Sequence, residues 1–113
     1  MAAITLIEAV NLALSYELEK DQDVVLLGED VGVNGGVFRA TNGLQAKFGK
    51  ERVIDTPLAE SMIAGLAIGM AAQGLKPVAE MQFDAFMMPA YDMIYNHMGR
   101  MRSRTRGRIT LPI

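Results

Sequence analysis

The sequence predicts an α/β domain built around a parallel sheet, and three observations carry that reading. Segments with helical spacing of apolar residues alternate with short apolar runs, in the order helix, strand, helix, strand, helix, strand. The run Val24-Val-Leu-Leu27 is apolar at every position, as a strand covered on both faces requires. The 113 residues are 50% hydrophobic and 21% charged, which suits one ordinary domain, or part of one, and excludes a disordered chain.

The elements follow in order. Thr5-Leu-Ile-Glu8 fits a capping box, in which hydroxyl and carboxylate satisfy the free amides of a helix start. Leu6, Ala9, Val10, Ala13, Leu14 and Leu18 then recur at helical spacing until Asp21-Gln-Asp23 breaks the pattern. After the buried strand comes a glycine-rich loop over 28–36, where glycine permits close backbone approach. A short helix is expected over 44–48, ending at Gly49, and a short strand over 52–55, stopped by Thr56-Pro57. A second long helix is expected over 61–73, with Glu60 at its entrance and Gly74 as its cap. Glycine costs a helix about 1 kcal/mol relative to alanine, so Gly65 and Gly69 need a reason. They share one face, which predicts close approach of another backbone at an assembly interface.

A third strand is expected over 77–83. Pro89 suits the first turn of a long helix, marked by a stripe of Met87, Tyr91, Ile94, Met98 and Met101. Residues 109–113 read as a fourth strand on which the sequence stops, so the chain is expected to be an amino-terminal fragment of a truncated domain.

Several classes are excluded or disfavoured. There is no cysteine, hence no disulfide framework or thiolate site. The amino terminus carries an early carboxylate and no basic leader, unlike a secretory signal. The longest uncharged run, 61–75, falls short of the roughly 18 apolar residues of a membrane span. A soluble, cytoplasmic chain without membrane contact is expected. Residues 1–92 hold six basic against thirteen acidic residues, whereas Arg100, Arg102, Arg104, Arg106 and Arg108 come later with no acid after Asp92. This asymmetry predicts a polar contact within the chain or with a partner chain. The whole chain is acidic, so no nucleic-acid partner is expected.

Phosphate cradles are missing: Gly49-Lys50 is followed by Glu51, and the 28–36 loop lacks the dinucleotide spacing and carries Glu29 and Asp30. His97 is the sole histidine and, without an orienting partner, reads as a helix-surface residue. Glu60 stands at a strand-to-helix junction, where ligands of open parallel sheets sit. By position it is either a first-turn glutamate, stabilised by about 0.3–1 kcal/mol through the helix dipole, or a carboxylate facing a bound heterocycle.

Four segments together, Val24-Val-Leu-Leu-Gly-Glu-Asp-Val-Gly32, Gly35-Gly-Val-Phe-Arg39, Arg52-Val-Ile-Asp-Thr-Pro-Leu-Ala-Glu60 and Glu80-Met-Gln-Phe83, carry a resemblance. The chain resembles the β chain of the thiamine-diphosphate-dependent 2-oxo acid dehydrogenases, the decarboxylating component of the pyruvate and branched-chain complexes. The resemblance implies a transketolase-like pyrimidine-binding domain, with thiamine diphosphate bound here by its pyrimidine end. It implies an α chain, two α with two β, that holds the diphosphate and magnesium, a lipoyl acyltransferase core that takes the acyl group, and a 2-oxo acid substrate.

By the same resemblance, Glu60 hydrogen-bonds the aminopyrimidine ring nitrogen and is the catalytic carboxylate. Glu29 belongs to the acid network near the aminopyrimidine, against the alternative of a solvated loop carboxylate. Gln82 lies beside the pyrimidine, or is a strand polar group facing solvent. Phe86 lines the pyrimidine pocket, or is a core aromatic, or both. Ile113 falls where relatives offer a main-chain carbonyl to a structural potassium ion. The resemblance places the catalytic histidine, the rest of the domain and a carboxyl-terminal domain beyond residue 113, so this chain alone is expected to be inactive. The other readings are the same domain in a transketolase or deoxyxylulose-phosphate synthase type of enzyme, and a methionine-rich interaction module.

Overall fold

A computed structural model of the chain describes residues 3–113. Helix α1 (Leu6–Lys20) opens on the expected capping box: the Glu8 N–H donates to Thr5 Oγ1 at 3.2 Å, and the Thr5 N–H donates to Glu8 Oε2 at 2.7 Å. The Thr5 N–H, together with the Thr5 hydroxyl that donates to the same oxygen at 2.9 Å, holds the Glu8 carboxyl below the usual carboxylate range. Only Leu18 of the apolar α1 positions is fully buried, and Leu14 is partly so. Leu6 and Val10 face outward, so the first turns keep an apolar face that nothing covers among the described residues.

Strand β1 (Val24–Gly28) is buried at every position and is the centre of a three-stranded parallel sheet, flanked by β2 (Val53–Asp55) and β3 (Lys76–Ala79). Leu26 pairs with Val53 and Val78, and Leu27 with Ile54 and Ala79. Side chains alternate across a strand, so β1 feeds two cores. Val24 and Leu26 pack with Leu18, Val31, Leu44 and Val53 on the side of α1 and α2 (Leu44–Phe48). Leu27 packs with Ile63 and Ala67 of α3 (Glu60–Ala72) on the other. Leu26 and Leu27 are 1% and 0% exposed, and burial of each contributes about 1.5–3 kcal/mol. Arg52 ties the sheet to α1: its Nε donates to Val24 O and its Nη2 to Leu18 O and Asp21 O.

Helix α3 ends with Gly74 at φ +100°, whose N–H bonds to Ala71 O at 3.0 Å, as the expected cap requires. Among the described residues no backbone approaches Gly65 or Gly69. A Cβ at Gly65 would meet only Met93 Sδ at 3.9 Å, and one at Gly69 nothing within 4 Å.

Beyond α3 the expectations need three corrections. The strand expected over 77–83 ends at Ala79, with one further ladder bond from Glu80 N–H to Leu27 O at 2.8 Å. Strand β1 stops at Gly28 and turns away, so residues from Met81 onward have no partner to pair with. Gln82 therefore lies on a bend and not on a strand.

The single long helix expected from Pro89 is broken instead: a 3-10 turn (Asp84–Met87) precedes the proline, and a π-helical segment (Met93–Met98) and a short α4 (Met101–Arg104) follow it. The Gly99 N–H reaches back five residues to Ile94 O at 2.9 Å, and the widened turn resets the phase of the apolar stripe. Ile94 and Met98 still turn inward, whereas Met87 and Tyr91 are exposed.

Residues 109–113 form no strand: no ladder partner reaches them among the described residues, and Pro112 has no N–H to give. The basic run leaves α4 and turns at Arg106 and Gly107, with φ +54° and +79°. All five arginines are exposed, and none meets a carboxylate among the described residues. Arg100 instead lies 4.4 Å over the Tyr95 ring and donates to its hydroxyl. His97 is partly exposed on the π-helical segment, 3.8 Å from Asp92. No helix among the described residues is long and apolar enough to cross a membrane.

Candidate functional site

The carboxyl ends of the three strands lie side by side, and hydrogen bonds between the segments leaving them hold the site together. Gly28 closes β1 where β3 crowds it: a Cβ would stand 2.9 Å from the Glu80 carbonyl oxygen and 2.9 Å from Val31 Cγ1. Glu29 and Asp30 then turn the chain, Asp30 at φ +57°. The loop beyond is fixed by Gly36 N–H to Asp30 O at 2.8 Å and by the buried Thr41 hydroxyl, which donates to Val31 O at 2.7 Å.

The two sequence signatures touch. The Gly32 N–H donates to Asp55 Oδ1 at 2.7 Å, and Gln45 Nε2 donates to Val53 O at 2.8 Å and approaches Asp55 Oδ2 at 3.5 Å. A Cβ on Gly32 would fall 2.1 Å from Asp55 Oδ2, so only glycine lets the loop reach this carboxylate. The Thr56 N–H then bonds to Gly28 O at 2.9 Å, which sets the start of the connection to α3. Gly-Glu-Asp-Val-Gly and Asp-Thr-Pro-Leu-Ala-Glu are thus two halves of one hydrogen-bonded junction. One half carries Glu29 and the other Glu60.

Glu60 is the first residue of α3, half-buried, and no donor among the described residues bonds its carboxylate. The next residue fastens this end of the helix: the Ser61 hydroxyl donates to the carbonyl of Pro89. Glu29 is half-buried directly after β1. Gln82 is half-buried on the bend after β3, and Phe86 lies in the 3-10 turn, 40% exposed. The Phe86 ring meets Phe83 edge-on at 5.4 Å, and Phe83 meets Phe38 of the 28–43 loop in the same way. The aromatics therefore bridge the first and third strand ends.

Ile113 lines an apolar hollow of about 270 Å³ with Ala64, Ala79, Met81, Met87, Ile94 and Met98. Among the described residues no cluster of three or more His, Cys, Asp or Glu is placed to hold a metal ion.

One residue of the site escaped sequence reasoning. Glu80, at the end of β3, has a buried Oε2 with no hydrogen-bond partner among the described residues. Burial, and secondarily the charge of Glu29, push its carboxyl above the usual carboxylate range. The signal available in the sequence was an acid inside an otherwise apolar strand-like run.

This donor and acceptor set fits a flat, nitrogen-bearing ring. It offers a carboxylate at a helix start, unpartnered among the described residues, and exposed aromatic edges. It does not suit a phosphate, because Glu29, Asp55, Glu60 and Glu80 make no ion pair with a basic side chain among the described residues.

Comparison with known proteins agrees with that geometry. Over its full length the chain is 56% identical to a protein of Acholeplasma laidlawii named pyruvate dehydrogenase E1 component subunit beta. It is 54% identical to proteins of the same name from Staphylococcus aureus and Bacillus subtilis. The chain spans 35% of the length of these curated relatives. Residues 2–113 match the family described as transketolase, pyrimidine binding domain. With that match over nearly every residue, and with a strand-end site suited to a nitrogen heterocycle, the chain belongs to the transketolase pyrimidine-binding domain family.

Proposed function

We propose that this chain is the amino-terminal part of the β subunit of a cytoplasmic 2-oxo acid dehydrogenase. That enzyme decarboxylates its substrate on thiamine diphosphate and passes the acyl group to a lipoyl carrier. The names of the relatives favour pyruvate over branched-chain acids. The observation that carries the reading is Glu60: an unpartnered carboxylate at the first position of α3, on a connection pinned to the Gly32 loop.

Thiamine diphosphate, when bound, supplies a nucleophilic carbon and an electron sink for decarboxylation. The chain's own residues would do the rest. Glu60 holds a proton at the pyrimidine ring nitrogen, which is the acid–base task of the site. Glu29 sets the charge beside it. Phe86 and Gln82 border the ring, one by its apolar edge and one by its amide. The same reading assigns the diphosphate and magnesium mainly to an α chain, in an assembly of two α and two β chains that meets a lipoyl acyltransferase core. A main-chain carbonyl at Ile113 for a potassium ion is part of the proposal and rests on the family resemblance alone.

The test uses the full-length β subunit assembled with its α partner. Glu60→Gln keeps the shape of the side chain and removes its proton chemistry. Turnover of pyruvate should fall by about 10²–10⁴-fold, the usual contribution of a positioned acid–base group. Near-normal turnover would rule the role out.

A further inference from the structure

The strand ends carry one carboxyl that this chemistry does not use. The main chain of Glu80 is locked: its N–H bonds to Leu27 O at 2.8 Å, and its Cβ and carbonyl oxygen crowd the space above Gly28. Its Oε2 is buried without a partner among the described residues. An ionised carboxylate spreads its charge onto that oxygen, which meets neither water nor a donor, whereas the neutral acid loses less on burial. Glu29 directly follows Gly28, the residue that Glu80 crowds, and its charge adds to the upward push on the Glu80 carboxyl. Asp55, on the far side of β1, is turned to Gly32 and Gln45, and Asp84 accepts the Ala85 N–H.

We infer that Glu29 and Glu80 form a pair that holds a single proton, that Glu80 carries it, and that the neutral Glu80 positions Glu29 as the charged member facing the pyrimidine. Glu80 is then a positioning residue. Losing its proton would place a second negative charge beside Glu29 and weaken binding of the anionic cofactor. The inference rests on the thiamine diphosphate reading only for its binding arm.

The full-length β subunit with its α partner tests it in two ways. Thiamine diphosphate affinity, followed by calorimetry as pH rises from the ordinary glutamate range, should fall by up to about tenfold per pH unit once Glu80 titrates. Glu80→Gln, neutral at every pH, should hold its affinity across that range. The second arm is melting of the cofactor-free protein. The folded state keeps a proton that the unfolded state has already lost. Wild-type stability is therefore full below the ordinary glutamate pKa and declines as pH rises towards the raised, folded value. The advantage of Glu80→Gln should grow over the same window.

A difference between the two proteins that does not change with pH in either arm overturns the shared proton. If neither protein binds thiamine diphosphate but the melting difference still grows with pH, the proton on Glu80 stands and the cofactor reading falls. Should Glu80→Gln fail to fold, Glu29→Gln serves instead. Removing the neighbouring charge must move the stability decline to lower pH, and an unmoved decline sinks the pair.

Discussion

Gly28 has no room for a methyl group, because the atoms that would meet it belong to the Glu80 main chain and to Val31 in the core. Gly28→Ala should lower stability by about 1–3 kcal/mol, the usual cost of overpacking, read as a lower urea midpoint in the assembled protein. Unchanged stability would show that β3 is free to move. Single residues were legible in the sequence where a motif named them. Glu60 and Glu29 stand out through their neighbours: Glu29 directly follows β1, and Glu60 opens α3, at the entrance where it was expected. Glu80 and Asp55 were not legible, because their meaning lies in register. Only the pairing of Leu27 with Ala79 brings Glu80 over Gly28, and only the pairing of Gly28 with Asp55 brings Asp55 to the Gly32 amide.

Elements with their own local signals were legible almost to the residue. The Thr5–Glu8 box starts α1, Gly49 ends α2 and Gly74 follows α3. The segment from Asp84 to Arg104 was not, because a stripe at steps of three and four does not reveal a π-helical turn that shifts its phase. The glycines of α3 pose the sharper question. Among the described residues nothing comes within 4 Å of a Cβ at Gly69, and only a methionine sulfur does so at Gly65. Two glycines that weaken the helix without aiding packing inside the chain point to a backbone from another chain. Gly65→Leu should block assembly of the co-expressed α and β chains, seen as a shift to smaller species by size exclusion. Normal assembly would remove this explanation.

For the molecule as a whole, charge separation is the property most open to test. Residues 1–92 are acidic, yet the five exposed arginines find no carboxylate among the described residues. Exposed guanidinium groups pair readily with carboxylates, so we propose that this segment serves structure and assembly. Affinity of the full-length protein for random duplex DNA at physiological salt should stay in the non-specific range, Kd about 10⁻⁴–10⁻⁶ M. Nanomolar binding that disappears when Arg102, Arg104 and Arg106 become alanine would reverse this assignment. The position of β1 between β2 and β3 also has a consequence for synthesis. The ribosome makes the middle strand first, so its apolar, β-prone segment Val24–Gly28 emerges before either neighbour exists. One flank is closed when Val53–Asp55 appears, and the other stays open until Lys76–Ala79 has been translated. During that interval the nascent chain displays an unpaired edge next to uncovered leucines, which is when a holding chaperone would matter most to its yield.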